Sequence, residues 1–255
     1  MADYKAIKGH TIQTVSGDPG TIVDGLIWYD SVARKVQGSK TAAGSWATGE
    51  ALPAVMVKNA GAGIQTAAIV FGGLDADGVA DESYTYDGTD WTDIGAMTNN
   101  RQMLGGCGTS TAALGAGGYP VPARGADTEE WNGSAWSETA NLGTSRYGCH
   151  SAGTQTAALC ITGHTYPGSE TADVEQYDGS SWSQIADVNT SRRQHAAAGT
   201  STAALAIGGN NGGSVSDAVE SWNGTAWTET HEINTARDAL GGDGTSTLAL
   251  VWGGT

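Results

Sequence analysis

The chain has 255 residues, 39 of them glycine and one phenylalanine, and a formal charge of −15 at pH 7. Residues 1–58 carry six basic and five acidic side chains and all five lysines, whereas residues 59–255 carry six basic and twenty-two acidic ones. The second part therefore lacks the clustered cations that duplex nucleic acid requires, and its acidic, Gly/Thr/Ser-rich character favours solubility. No apolar run reaches membrane length and the N-terminus lacks an apolar signal core, so neither membrane insertion nor classical export is expected of a chain made in a cytoplasm.

In chain order, residues 1–24 read as a short, nearly neutral arm. Its apolar positions, Tyr4, Ile7, Ile12 and Val15, suit the addition of a strand to a partner's sheet. Residues 25–47 then hold Leu26-Ile-Trp-Tyr-Asp30 and Gly44-Ser-Trp46, which predict a hairpin whose turn is stretched by Ser31 to Ala43.

From there the sequence repeats. The turn before each copy of a Thr-Ala-Ala-Leu-like strand starts at Gly63, Gly108, Gly153, Gly199 and Gly244, in steps of 45, 45, 46 and 45 residues. That period fits a four-stranded propeller blade, and the Gly, Thr, Ser, Trp and Tyr content with no helical periodicity removes helical solenoids. Within each period a second hairpin follows: Tyr86-Asp-Gly-Thr-Asp-Trp91, Trp131-Asn-Gly-Ser-Ala-Trp136, Tyr177-Asp-Gly-Ser-Ser-Trp182 and Trp222-Asn-Gly-Thr-Ala-Trp227. Asp-Gly and Asn-Gly between aromatics predict type I′ turns. The alanine pairs at 67–68, 112–113, 157–158 and 203–204 suit an inner edge where sheets converge, and the rings suit the wider outer hairpin.

The expected fold is thus all-β, a five-bladed β-propeller over residues 25–255. Its blades span about 56–92, 101–137, 146–183, 192–228, and 237–255 completed by 25–47. Joining the two chain ends in one blade would remove two sheet edges. The competing arrangement leaves a half-blade to be completed by another copy of the chain.

Seven residues before the repeat glycine stand Arg101, Arg146, Arg192 and Arg237, with Met56 in the first unit. Two residues before the hairpin aromatic stand Glu129, Glu175 and Glu220, with Tyr84 in the first unit. Basic and acidic positions are present together or absent together except in the composite blade, where Arg237 would meet Ile27. This predicts a same-blade ion pair bracing the first strand against the third; the alternative is a rim of arginines for an anionic ligand.

No catalytic, cofactor or metal site is expected. His10, His150, His164, His195 and His231 occupy different repeat positions without a nucleophile or ligand pattern, and Asp75, Asp77 and Asp81 lack a full calcium-loop pattern. Cys107, Cys149 and Cys160 have no zinc spacing and read as small buried residues. The loops after each second strand vary most, at residues 74–80, 119–126, 164–171 and 210–216. A recognition face there would use Tyr119, His164, Tyr166, Asn210 and Asn211; unconstrained drift explains the same variation.

The glycine pair after the second strand, followed by Tyr or Trp and then Trp, resembles the kelch repeat over about residues 47–255. That resemblance implies a propeller and leaves activity open, since kelch propellers include binding modules and oxidases; the oxidases' copper-ligating Tyr, His and Cys set has no counterpart here. A narrower likeness joins Tyr4-Lys-Ala-Ile-Lys8, Gly25-Leu-Ile-Trp-Tyr-Asp30 and Lys35-Val36 with the Gly-Thr-Gln/Ser-Thr-Ala-Ala-Leu repeats. Together these resemble virion proteins of marine tailed bacteriophages, cyanophages especially. The resemblance implies a non-enzymatic tail, fibre or capsid-surface component, located on the virion and assembled in the host cytoplasm. Its expected partners are other virion proteins through the arm, and further copies of itself. Two rival readings are a receptor-binding module for host-surface glycans, working through Tyr119 and Tyr166, and a glycan hydrolase or lyase. The last would need two acids about 5 to 10 Å apart in one pocket.

Overall fold

The computed structural model describes residues 13–15, 27–30, 35–38, 49–120 and 125–255. Two compact units are present, Met1–Gly49 and Glu50–Thr255.

In the first unit β1 (Gln13–Val15) runs parallel to β2 (Ile27–Asp30), whose other edge pairs antiparallel with β3 (Lys35–Gly38). The partner of Tyr29 is therefore Val36, not a residue near Trp46 as the sequence suggested. The reason is loop length: the connection from Asp30 to Lys35 is short, and closing a short connection costs less chain entropy than closing the thirteen-residue turn expected. The expected segment 44–46 lies outside the described residues, as do Tyr4, Ile7 and Ile12 of the arm.

In the second unit each complete repeat is one antiparallel sheet. The first holds β4 (Ala60–Ile64), β5 (Ala67–Leu74), β6 (Val79–Tyr86) and β7 (Trp91–Ala96) in that order. The second holds β8 (Gly105–Thr109), β9 (Ala112–Ala116), β10 (Thr128–Trp131) and β11 (Trp136–Glu138). In the third, β12 (Arg146–Tyr147) and β13 (His150–Thr154) both pair with β14 (Ala157–Thr165), followed by β15 (Glu170–Tyr177) and β16 (Trp182–Gln184). The fourth holds β17 (Ala196–Thr200), β18 (Ala203–Ile207), β19 (Ala218–Trp222) and β20 (Trp227–Glu232). The last repeat supplies β21 (Leu240–Gly244) and β22 (Ala249–Gly253), which form a two-stranded sheet. Among the described residues β22 pairs only with β21, and both edges of β2 are taken by β1 and β3. The expected closure of the last blade by the N-terminal strands is therefore not among these pairings.

The aromatic hairpins form in the expected register, Tyr86 opposite Trp91, Trp131 opposite Trp136, Tyr177 opposite Trp182 and Trp222 opposite Trp227. Their turns differ from expectation. Only the glycine of each has a positive φ, 100° at Gly88 and 89–92° at Gly133, Gly179 and Gly224, which is the type II′ requirement; type I′ needs two such residues. The preceding Asp or Asn carboxyl or amide oxygen takes over part of the turn's work, as when Asp87 Oδ1 accepts from the amides of Thr89 and Asp90. The alanines have a second role as well. Ala113, Ala158 and Ala204 stand directly opposite Trp131, Tyr177 and Trp222, where a small side chain leaves room for the ring.

The strands nearest the centre are the first of each repeat. β4, β8, β13, β17 and β21 neighbour one another in that order and line a common cavity of about 820 Å³. Their Gly, Ala and Ser content follows from crowding: a Cβ on Gly106 would lie 2.9 Å from both Ala60 Cβ and Phe71 Cζ of the preceding repeat. One end of this cavity carries a chain of backbone hydrogen bonds from repeat to repeat. Met103 N donates to Lys58 O, Gly148 N to Met103 O and Gln194 N to Gly148 O, each at 2.8 Å. All three donors, with Lys58 and Ala239, share a left-handed φ of 53–64°.

The apolar core lies between sheets. Ile69 and Phe71 of the first pack with Ala113, Trp131 and Trp136 of the second. Leu114 and Cys107 meet Ala158 and Tyr177, and Leu159, Ile161 and Val174 meet Ala204, Ala206, Trp222 and Trp227. The last interface, Ala196 and Ile207 against Leu240 with Val251 at its margin, is the smallest of these in buried residues.

Candidate functional site

The repeated arginines are buried completely at Arg101, Arg146 and Arg192, and each is met by the glutamate of its own sheet. Arg101 Nη2 lies 2.9 Å from Glu129 Oε1 and Arg146 Nη2 2.6 Å from Glu175 Oε1; Arg192 Nη2 pairs likewise with Glu220 Oε1. Nη1 of each donates to two carbonyls, those of Gly117 and Asp127, Thr162 and Asp173, or Gly208 and Ala218. Burial draws the Arg101 and Arg192 guanidinium groups below the ordinary arginine value, and the adjacent glutamates oppose it.

The carboxylates reach further than the sequence indicated. Glu129 Oε2 accepts from the Thr98 amide, Glu175 from the amides of Gly143 and Thr144, and Glu220 from those of Asn189 and Thr190. Each glutamate thus ties its sheet to the segment entering it from the preceding one. The sequence alone offered no signal for this, since the donors are backbone groups.

A second regular feature brings variable side chains together. The residue after each arginine position crosses the residue after each glycine pair, or after Thr162-Gly163 in the third repeat, through backbone pairing. The crossings are Val57 with Leu74, Gln102 with Tyr119, Tyr147 with His164, Arg193 with Asn210, and Asp238 with Thr255. The backbone repeats while the side chains run apolar, amide–phenol, aromatic–imidazole, cationic–amide and anionic–hydroxyl.

Neighbouring crossings touch. The Tyr119 ring stands edge-on to Tyr147 at 5.9 Å, and Tyr147 lies 5.1 Å from His164. His164 Nδ1 is 3.3 Å from Glu170 Oε1, and Arg193 Nη1 is 3.5 Å from the same oxygen. Burial acts to raise the Glu170 carboxyl, but a backbone hydrogen bond, His164 and Arg193 outweigh it and hold the group below its usual value. Asn210 Nδ2 donates to Asp238 Oδ2 at 3.0 Å. Tyr119 and Tyr166 are 43% and 58% exposed, and each precedes a cis proline.

Of the residues expected to form a recognition face, Tyr119, His164 and Asn210 join this strip. Asn211 closes an Asx turn by accepting from Gly213 and Ser214, and Val15 pairs with Asp30 in the first unit. The sequence reading missed Tyr147, Glu170 and Arg193. The signal for two of them was available: the position after each arginine differs in every repeat.

The remaining groups are structural. The rings of His150 and His195 meet at a tilt of 59° with centroids 5.2 Å apart, and His195 Nδ1 lies 3.1 Å from Thr162 Oγ1. Burial pushes His150 down to about 4 and His195 well below the ordinary histidine value. His150 keeps some surface toward the central cavity yet is enclosed by protein on the scale over which solvation acts. The three cysteines are free and buried, and burial pushes the Cys107 thiol up to about 12. Asp75 Oδ1 accepts from the amides of Asp77 and Gly78, a local turn. Among the described residues no group of three or more His, Cys, Asp or Glu is placed to hold a metal, and no helix is long and apolar enough to cross a membrane.

The described residues are all-β, and the repeats of residues 50–255 are antiparallel sheets with a β-propeller-like architecture. The solved structure of YjhT is similar to it, with a TM-score of 0.64 and 12% identity over 76% of this chain and 71% of that one, a likeness of fold. No protein-family model and no curated protein matches the sequence.

Proposed function

We propose that the chain is a non-enzymatic structural component of a phage virion, a propeller of five units that displays a rigid, variable face, with residues 1–24 docking on other virion proteins. The likeness to marine phage proteins in the N-terminal module and repeats supports the particle assignment. The observation that carries the non-enzymatic reading is the use of the buried carboxylates. Glu129, Glu175 and Glu220 are each saturated by an arginine and by backbone amides, an arrangement that stabilises a scaffold. Particles purified from the encoding phage should contain the chain in fixed copy number, and deletion of residues 1–20 should abolish its incorporation. Normal incorporation of the truncated chain would refute the docking role.

A second reading rests on the exposed rings of Tyr119 and Tyr166 beside the His164–Glu170–Arg193 cluster, a combination of stacking surfaces and polar groups suited to sugars. Micromolar binding on a glycan array, lost in Tyr166→Ala, would favour a receptor-binding role for this face.

A further inference from the structure

Two of the buried thiols do more than fill space. Cys160 lies on β14 opposite Ser151 of β13, and Cys149 precedes Ser151 by two residues, so strand alternation puts both cysteines on one face as diagonal neighbours. That face packs against Ala116 of the second sheet and against Leu142. A chain of weak hydrogen bonds runs through the pair: the Cys160 thiol meets Cys149 Sγ, and Cys149 Sγ donates to Ala116 O at 3.6 Å. Cys149 is also confined. A Cβ on Gly117 would lie 3.1 Å from its sulfur and one on Gly163 3.3 Å from its Cβ, both tighter than ordinary contact, so the sulfur has little room to turn away from its neighbour.

The two thiols differ in access. Cys149 lines the central cavity of about 820 Å³, whereas Cys160, one strand further out, does not. At 1% exposure Cys149 admits an oxidant of about the size of water and excludes a bulky disulfide. They differ in acidity as well. The hydrogen bond from Cys160 and then the Arg146 cation outweigh burial and hold the Cys149 thiol below its ordinary value, while the same bond and burial push Cys160 well above it. Cys107 lines the same cavity but belongs to a different cluster, donates to Thr154 O at 3.7 Å, and is pushed up to about 12 by burial. It serves as an internal control.

We propose that Cys149 and Cys160 are a dithiol that hydrogen peroxide closes to a disulfide within the third sheet, with Cys149 as the attacking sulfur and Cys107 left out. The deprotonated Cys149 sulfur attacks one peroxide oxygen; an S–O bond forms, the O–O bond breaks, and the departing hydroxide leaves as water with the proton that Cys149 released. The deprotonated Cys160 sulfur then attacks Cys149; the S–S bond forms, the S–O bond breaks, and hydroxide leaves as a second water with the proton from Cys160. The two thiols lose two electrons in all and the peroxide gains them. A reducing cytoplasm keeps the pair open, and an oxidising exterior closes it. The inference rests on the third sheet and is independent of the assignment to a particle.

The test treats the folded full chain with a small excess of hydrogen peroxide, quenches it with catalase, and then unfolds and alkylates the protein. Alkylated thiols should fall from three to one, with an intact mass lower by two hydrogens and a proteolytic fragment joining Cys149 to Cys160. Dithiothreitol should restore all three thiols. Cys160→Ser should accumulate a Cys149 sulfenic acid that dimedone labels, and Cys149→Ser should leave Cys160 unmodified. Four results would overturn the proposal. They are three free thiols after an exposure that oxidises the unfolded chain, oxygen added to Cys149 without a link to Cys160, a link through Cys107 or between two chains, and equal dimedone labelling of the two variants. Thiol counting and fragment mapping use the unaltered protein, so the outcome does not depend on how the variants fold.

Discussion

Single side chains in this repeat can be judged against their equivalents, which makes a missing partner visible. Trp136 Nε1 donates to Ser83 Oγ at 3.0 Å and Trp182 Nε1 to Thr128 Oγ1 at 3.1 Å, in each case a hydroxyl just before the glutamate position of the preceding sheet. For Trp227 that position is Val174, fully buried, and Trp227 Nε1 has no partner. Val174→Thr is nearly isosteric and supplies the acceptor, so it should stabilise the chain by about 0.5–1.5 kcal/mol in urea unfolding. The reverse change, Thr128→Val, strands Trp182 Nε1 and should cost about 1–3 kcal/mol. If both changes destabilise equally, the hydroxyl rule is incorrect.

At the scale of elements, the arginine–glutamate pairs make the sheets a connected series. Glu175→Ala would take from Arg146 Nη2 and from the amides of Gly143 and Thr144 the buried carboxylate that accepts from them, at a cost of about 3–5 kcal/mol. Tyr84→Phe, at the equivalent position of the first sheet, removes no charge and should cost under about 1 kcal/mol. Equal losses in the two variants would show that packing, not charge, holds these positions. Much of this element-level organisation was legible beforehand, because strand alternation, paired aromatics and co-occurring Arg and Glu are side-chain signals at a fixed period. Three features were not. The β2–β3 pairing depends on loop length at a site where Lys35-Val-Gln-Gly38 reads as part of a long turn. The amides capped by the glutamates carry no side-chain signature. The variability after each arginine marks positions 147 and 193, but that 147 crosses 164 and 193 crosses 210 is set by backbone groups and carries no side-chain signature.

For the molecule as a whole, the buried histidine pair sets an acid limit. His150 and His195 bind protons less readily folded than unfolded, because burial disfavours both charged rings and, at His195, His150 and Arg192 add their repulsion. The unfolded chain therefore takes up protons first, and stability falls as the pH drops from about 6.5 toward about 4. Each ring contributes about 1.4 kcal/mol per unit of pH inside its own window. The urea midpoint should be lower at pH 5.0 than at pH 7.5, and His195→Leu should flatten that dependence, leucine being the residue at the equivalent positions 104 and 240. A midpoint that does not change between the two pH values would contradict this account.

The five crossings separate what the chain must keep from what it is free to alter. Since their geometry is fixed by amide and carbonyl groups that every residue but proline provides, exchanging Tyr147 or Arg193 for the residue at another crossing leaves the supporting lattice intact. Ten side-chain positions can then be exchanged among the repeats without rebuilding the backbone lattice that carries them.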